Sequence, residues 1–326
     1  MTTRPFGRTG LQVSNLVFGG GFVGGILLHA DDDTRRTAMR RALEGGINWI
    51  DTAASYGQGQ SEEVLGWLLQ EVERKPYIST KVGLDLDRLD DIAGQVEESL
   101  HASLARLRME SVDLFQLHNP IAPETGGTAL SVAHVLGKGG AADALDRMRD
   151  QGLARHIGFT ALGEAAPIRE VIDSGRFESA QVYYNLINPT AARPLPAGWS
   201  GHDFSGVLDA CRAKGVAVMN IRVFAAGVLA TDVRHGREIV VTEGSEMAQE
   251  EARARAVFDR LGDRHGTRAQ TAIRFSLANP DVSCVVIGLA ELAHLEEALA
   301  GAEKGPLPDD AIAELNDLYD TEFGRL

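Results

Sequence analysis

Four side chains in the first 118 residues carry the chemistry that can be read from this sequence: Asp51, Tyr56, Lys81 and His118. Asp51 closes the apolar run Ile47-Asn48-Trp49-Ile50, Lys81 closes Pro76–Thr80, and His118 closes Ser111–Leu117, while Tyr56 follows Asp51 in the same loop. Each has an ordinary explanation alone. A strand-end Asp usually forms a turn or caps a helix, a lone His is usually a hydrogen-bonded bystander, a Lys is usually a solvated charge, and a Tyr beside a glycine anchors a loop. Gathered at one place, they can move a proton. A carbonyl becoming an alcohol develops negative charge on oxygen, which needs a proton or an aimed donor in the transition state. A phenol with an ordinary pKa of about 10 can share a proton with an alkoxide. A neighbouring ammonium favours the phenolate, and a carboxylate paired with that ammonium keeps it charged and in place. An imidazole can orient the carbonyl. Lysine in such a setting has a second chemistry, Schiff-base formation of the aldolase type, but Asp51, Tyr56 and His118 then have weaker reasons to be there.

What must position these residues is a repeated unit. Short apolar runs alternate with helix-like segments: Asn15–Phe18, Ile47–Ile50, Pro76–Thr80, Ser111–Leu117, Arg155–Phe159, Ser179–Tyr184, Val216–Ile221 and Val282–Ile287 read as strands. Helices are expected from Asp32 with N-caps among Asp31–Asp33, from Ser61, over 89–109, 141–151, 164–174, 204–214, 246–263 and 267–278, and from Glu291 and Asp309. The strands are apolar throughout more than they alternate, as strands covered on both faces are. Eight β–α units with no linker between halves predict an α/β protein, a (β/α)8 TIM barrel built as a single domain over 1–326; an open doubly wound sheet is the alternative. A barrel needs ~250 residues, which leaves room for extra C-terminal helices and for an N-terminal β-hairpin turning at Arg8-Thr9-Gly10. Barrels place their chemistry at the C-terminal strand ends, so Asp51, Lys81 and His118, on the second, third and fourth strands, would meet at one mouth. Ile121–Gly140 has the poorest periodicity and reads as a long loop on that face. Trp49, Trp67 and Met109 read as core, and 243–251 as a solvated acidic helix start.

Composition narrows the class. The chain has 326 residues, 44% hydrophobic and 24% charged, long enough for a large core. Its formal net charge of −14 disfavours a nucleic-acid partner. Cys211 and Cys284 are far apart and form no zinc spacing, so no metal site is expected and a reducing compartment fits. No apolar run is long enough to span a membrane, and Met1–Pro5 lacks the apolar character of a signal peptide, so the expected location is the cytoplasm.

The segments Ile50-Asp51-Thr52-Ala53-Ala54-Ser55-Tyr56-Gly57, Ser79-Thr80-Lys81 and Leu117-His118 resemble the aldo-keto reductase superfamily, as do Arg8–Ser14 and Gln181-Val182-Tyr183-Tyr184-Asn185. The resemblance covers essentially the whole chain. It implies a hairpin-capped barrel holding NAD or NADP without a Rossmann domain, with Tyr56 as proton donor and Asp51, Lys81 and His118 completing a tetrad in which Tyr56 and His118 face the substrate. From the residues themselves, Trp199 either lines a substrate pocket or pins its loop, and Arg222 is either a substrate or pyrophosphate ligand or a rim charge. Gly19–Gly24 matches G-x-G-x-x-G, but no helix signal appears before Asp31, so the glycines, Gly20 and Gly21 among them, read instead as places where backbone approaches nicotinamide or substrate.

The resemblance also assigns cofactor contacts. Thr160 and Gln181 would hold the nicotinamide amide, with Thr160 standing where the family often has Ser. Ile221-Arg222-Val223-Phe224-Ala225-Ala226-Gly227 replaces the family's aromatic-Ser-Pro-Leu run: Ile221 would cover the ring by apolar contact, and Arg222, Val223, Phe224, Ala226 and Gly227 would line the cofactor. Gly288, Leu289, Ala290, His294 and Glu297 fall on the adenosine site, where Ala290 stands in place of an NADP-binding cation and Glu291 would repel a 2′-phosphate, which favours NAD. The implied partner is a small carbonyl or sugar substrate, with a homo-oligomer left open. The long loop after His118 and the Ile221-Arg222 variant resemble the bacterial branch acting on aldoses; small aldehydes and pyridoxal-type substrates stay open, as does a non-catalytic cofactor-sensing subunit.

Overall fold

The computed structural model describes residues 1–21, 23–194, 196–232 and 245–325. Phe22, in the glycine-rich run, and Glu243 and Gly244, in the acidic stretch read above, lie outside them.

The chain opens with an antiparallel hairpin, Thr3–Pro5 against Gln12–Ser14. Its connection is a 3-10 turn, Gly7–Thr9, closed by Gly10 at φ +79°. Eight strands follow: β1 (Leu16–Gly19), β2 (Trp49–Asp51), β3 (Tyr77–Val82), β4 (Val112–Leu117), β5 (Ala154–Ala161), β6 (Ser179–Tyr183), β7 (Ala217–Ile221) and β8 (Cys284–Gly288). Each pairs in parallel with the next, and β8 returns to β1, so the sheet closes into a barrel. The pairing of β8 with β1 excludes the open sheet, and each strand is covered on both faces, by the interior and by the helices.

The two faces appear as two cores. One cluster holds Val17, Trp49, Leu114, Ala217, Met219 and Cys284 together with Phe6 and Val13 of the hairpin. These strand residues are inward-pointing, and the hairpin seals the N-terminal end of the barrel. Arg4 reinforces the seal by donating to the carbonyls of Leu277, Asn279 and Val282. The larger cluster lies between the strands and the helices. The helices that matter below are α1 (Asp32–Glu44), capped by Asp31 accepting from the Thr34 amide, α2 (Gln60–Leu68) and α3 (Ile92–Leu107). The extra helices Asp309–Asp320 and Glu322–Arg325 close the chain, and Tyr319 Oη donates to the Leu186 carbonyl in the loop after β6. No helix among the described residues is long and apolar enough to cross a membrane.

Several local expectations are corrected. A one-turn helix, Ile26–His29, precedes α1. The helix expected over 89–109 starts at Ile92, after a 3-10 segment Leu86–Asp91, because Asp91 accepts from the Gly94 amide as its N-cap. The helix expected from 204 starts at Val207. Ile121–Gly140 is not an unstructured loop: Ile121–Ala122 pairs with Leu130–Ser131, and Val132–Leu136 is helical. The acidic helix starts at Met247, and its Glu250 is buried rather than solvated.

Candidate active site

Strand parity builds the site. In the parallel register Asp51 lies beside Ser79, Lys81 beside Gln116, Gln116 beside Gly158, and Thr160 beside Gln181. These positions share the inward face with Trp49 and Leu114 one layer below, so the C-terminal half of the interior is polar where the N-terminal half is apolar.

A buried ion pair stands at the centre. Lys81, with no solvent exposure, donates from Nζ to Asp51 Oδ2 at 2.6 Å, to the Thr52 carbonyl at 2.8 Å and to Tyr56 Oη at 3.3 Å. The other carboxylate oxygen of Asp51 accepts from Ser79 Oγ at 2.6 Å, Gln181 Nε2 at 2.9 Å and Gln116 Nε2 at 3.2 Å. Burial alone would pull the Lys81 ammonium down, but the Asp51 carboxylate and the Tyr56 oxygen outweigh it and hold Lys81 above the ordinary lysine value. The pair is therefore charged, and its lone pairs and protons are used up by named partners, the condition under which a buried pair is sustained.

Tyr56 starts a short turn, Tyr56–Gly59, whose Gly57 and Gly59 take φ +60° and +96°. The turn lays the Tyr56 ring 4.9 Å from Lys81 Nζ, and Gly21 from the β1 loop faces the same ring, a Cβ there falling 3.7 Å from Cζ. His118 meets Tyr56 edge to face, with ring centroids 5.8 Å apart, and its Nδ1 lies 3.4 Å from Ser55 Oγ. Burial, with Lys81 and Arg222 adding and Asp51 opposing, pushes His118 down to about 3, so the imidazole is neutral at any working pH. The structure thus gathers Asp51, Tyr56, Lys81 and His118 around one spot at the C-terminal mouth.

Arg222 follows β7 with φ +58° and sets its guanidinium over the Tyr183 ring at 5.7 Å. Asn185 Nδ2 holds the Arg222 carbonyl at 2.9 Å. Ala225 and Ala226 also take positive φ, so 222–227 is a strained turn with Val223 buried inside it and Gly227 at φ +102°. Such strain persists only where the surroundings over-determine it. Ile221 is the inward residue of β7 paired with Tyr183. Trp199 lies against the Arg253 guanidinium at 5.0 Å and the Phe323 ring at 6.0 Å, so it ties its loop to the C-terminal segment.

The glycine-rich loop needs correction. Gly24 makes room for backbone of this chain: a Cβ there would lie 2.3 Å from the Leu289 amide nitrogen, and the Ile26 amide donates to the Leu289 carbonyl. Gly20 is similarly pressed against Ser61 and β2. Only Gly21 faces Tyr56. After β8, Gly288 ends the strand, Leu289 is buried, Ala290 donates its amide to His294 Nδ1 at 3.3 Å, and the Glu297 carbonyl accepts from Gln270. Three interior partners were missed: Ser79, Gln116 and the Thr52 carbonyl. Ser79 and Gln116 each precede a named residue by two positions, and period two was the available signal.

The sequence model of the Aldo/keto reductase family matches residues 15–320. The chain belongs to the aldo/keto reductase family. It is 27% identical to an L-galactose dehydrogenase of Arabidopsis thaliana over 91% of this chain and 86% of that protein. It is 28% identical to a D-threo-aldose 1-dehydrogenase of a Pseudomonas species over 88% of this chain and 89% of the other. A holo aldo-keto reductase from Bacillus halodurans shares the fold, with a TM-score of 0.75 at 21% identity over 98% and 96% of the two chains. This aldo/keto reductase is thus an oxidoreductase of a family that uses nicotinamide cofactors.

The mouth can be tested for that cofactor on one observation. Thr160 Oγ1 is buried with no hydrogen-bond partner among the described residues, at the end of β5 beside Gln181. An unpaired buried hydroxyl is costly, and a carboxamide laid across β5 and β6 would pair it. Gln181 fits only in part, because Nε2 already donates to Asp51.

Proposed function

We propose that this aldo/keto reductase interconverts a carbonyl and an alcohol with Tyr56 as the group that gives or takes the proton. The observation that carries this reading is the Tyr56 Oη to Lys81 Nζ contact of 3.3 Å, made by an ammonium locked on Asp51. NAD or NADP, when bound, supplies or accepts the hydride. Thr160, Gln181 and Ile221 would hold the nicotinamide ring end, Gly21 would border it, the 222–227 turn would pass along the phosphates, and Gly288–Glu297 would carry the adenosine. Tyr56 Oη donates to the substrate oxygen as negative charge builds there, and Lys81 stabilises the phenolate left behind. Neutral His118 orients the carbonyl without adding a competing positive charge. In the reverse direction the phenolate takes the alcohol proton. A Schiff-base role for Lys81 is disfavoured: a nucleophilic amine must be neutral and free to move, and this one is charged and triply hydrogen-bonded.

At a finer level, we propose an aldose or related small carbonyl as substrate, with Arg222 near it, supported by the two sugar-dehydrogenase relatives. NAD is proposed to serve at least as well as NADP. Ala290 and Glu291 bring no cation to the ribose end, and nearby Arg41 is engaged by Glu296 at 3.5 Å. The test is a panel of sugars, aldehydes and ketones followed at 340 nm with both cofactors, for the wild type and Tyr56→Phe. The expected result is turnover that falls about 10²–10⁴-fold in Tyr56→Phe with cofactor still bound. Equal turnover by the variant would remove Tyr56 from the reaction, and an NADPH affinity roughly 100-fold above that of NADH, over 2.7 kcal/mol, would end the NAD assignment.

A further inference from the structure

Glu62 is a fully buried carboxylate that the chemistry above leaves unused. It lies in the first turn of α2, the helix that continues directly from the Tyr56–Gly59 turn. Its Oε1 accepts from Thr80 Oγ1 at 2.5 Å, and its Oε2 accepts from Arg106 Nε at 2.7 Å. Thr80 is the chain neighbour of Lys81 on β3, and Arg106 belongs to the last turn of α3. Arg106 also forms the floor of the Tyr56 turn: a Cβ on Gly59 would fall 2.7 Å from Arg106 Cδ. Beside Glu62, Ser61 Oγ lies 2.8 Å from Thr52 Oγ1 and donates to the Gly20 carbonyl at 3.1 Å. Thr52 is in turn the residue whose carbonyl accepts from Lys81. The first turn of α2 is thus fastened to the chain neighbour of Lys81, to the residue whose carbonyl accepts from the ammonium, and to the floor of the Tyr56 turn.

Solvent-facing acidic residues suit a helix start, but this one faces inward and is held by one hydroxyl and one guanidinium. We propose that Glu62 is a positioning residue: through Thr80 and Arg106 it sets the separation of Tyr56 Oη and Lys81 Nζ. This rests on the reading of Tyr56 as the proton-transferring group. Misplacement of reacting groups by about 1 Å can cost on the order of 10²-fold in rate, so a loosened bridge should lower kcat while leaving binding alone.

The test compares Thr80→Val, which removes the hydroxyl at nearly constant volume, with Thr80→Ser, which keeps it, and with Glu62→Gln. Expected are a kcat at least about tenfold lower in Thr80→Val and Glu62→Gln, KM values for carbonyl and cofactor within about twofold of wild type, and recovery in Thr80→Ser. A folded Thr80→Val with wild-type kcat overturns the proposal, as does an equal loss in Thr80→Ser. Amide hydrogen exchange over residues 53–60 supplies a readout without turnover. Faster exchange in Thr80→Val than in Thr80→Ser supports the bridge, and identical exchange in both and in wild type overturns it. A wild type without turnover on the panel counts against the proposed reaction alone, because the exchange comparison still decides the bridge.

Discussion

Asp51→Asn is the most informative single change, because it keeps the shape of the side chain and removes only its charge. In the wild type, one carboxylate oxygen faces Lys81 at 2.6 Å and the other gathers three donors, Ser79, Gln116 and Gln181. An amide cannot serve both sides: its NH2 must face either three donors or an ammonium. Breaking a buried pair by removing one partner costs about 3–5 kcal/mol. With an unfolding entropy of about 2.1 cal/mol/K per residue over 326 residues, that lowers Tm by about 4–7 °C. Lys81→Met should cost less, since the stranded carboxylate keeps three hydrogen bonds while the stranded ammonium keeps only the Thr52 carbonyl and the Tyr56 oxygen. The double variant should fall short of the sum by about 1–3 kcal/mol. The pH dependence has opposite signs. In the wild type Lys81 is raised above its ordinary 10.5, so its contribution is complete below that pH and is lost as pH rises through the folded value. In Asp51→Asn the folded lysine is pulled down, the unfolded chain binds more protons, and stability rises with pH up to about 10.5. Urea unfolding at pH 6, 8 and 9.5, followed by far-ultraviolet circular dichroism, measures the free energies, a contribution from Lys81 that stays constant over this range in the wild type and a stability that rises with pH in Asp51→Asn; a thermal scan at pH 8 gives the Tm shift. An Asp51→Asn protein within about 1 kcal/mol of wild type at pH 6, or strict additivity in the double variant, would refute the description of a buried, charged pair.

Other expectations follow from single contacts. Because His118 stays neutral in the fold down to about 3 while its ordinary value is 6.5, stability should fall as pH drops below 6.5, by at most about 1.4 kcal/mol per unit, and His118→Gln should flatten that limb; denaturant midpoints at pH 7.5 and 5 compare the slopes. Gly24→Ala drives a Cβ to 2.3 Å from the Leu289 amide and should destabilise by about 1–3 kcal/mol without altering the ion pair, as thermal unfolding would record. Cys211 is buried and pushed up to about 12, and Cys284 is buried and raised further, so neither thiol should react with a disulfide reagent at pH 8 until urea is added.

What could be read from the sequence was whatever one strand or one turn determines. Asp51, Lys81 and His118 stood out because a charged or polar residue ending an apolar run has no packing explanation, and a barrel brings consecutive strand ends to one rim. The hairpin was legible in Arg8-Thr9-Gly10 because Gly10 must take φ +79°. Contacts between distant segments were not legible. The glycine at 24 is required by Leu289, on the loop of the last strand, and no local rule connects the two. Glu62 is, by sequence alone, an acidic residue in the first turn of the helix that starts near Ser61, and only the third dimension turns it onto Thr80. Gln116 and Ser79 lie between these cases. Their parity with His118 and Lys81 was present in the text of the sequence, yet parity acquires meaning only once the register places Lys81 beside Gln116 and Asp51 beside Ser79. The same argument explains why the interior divides into an apolar floor and a polar mouth. On β2, β3 and β4 the inward face reads apolar first and polar last, so a parallel barrel, with every strand running the same way, collects these polar ends at one rim; an antiparallel arrangement of these segments would put Lys81 at the opposite rim from Asp51 and His118 and leave each buried charge without a partner.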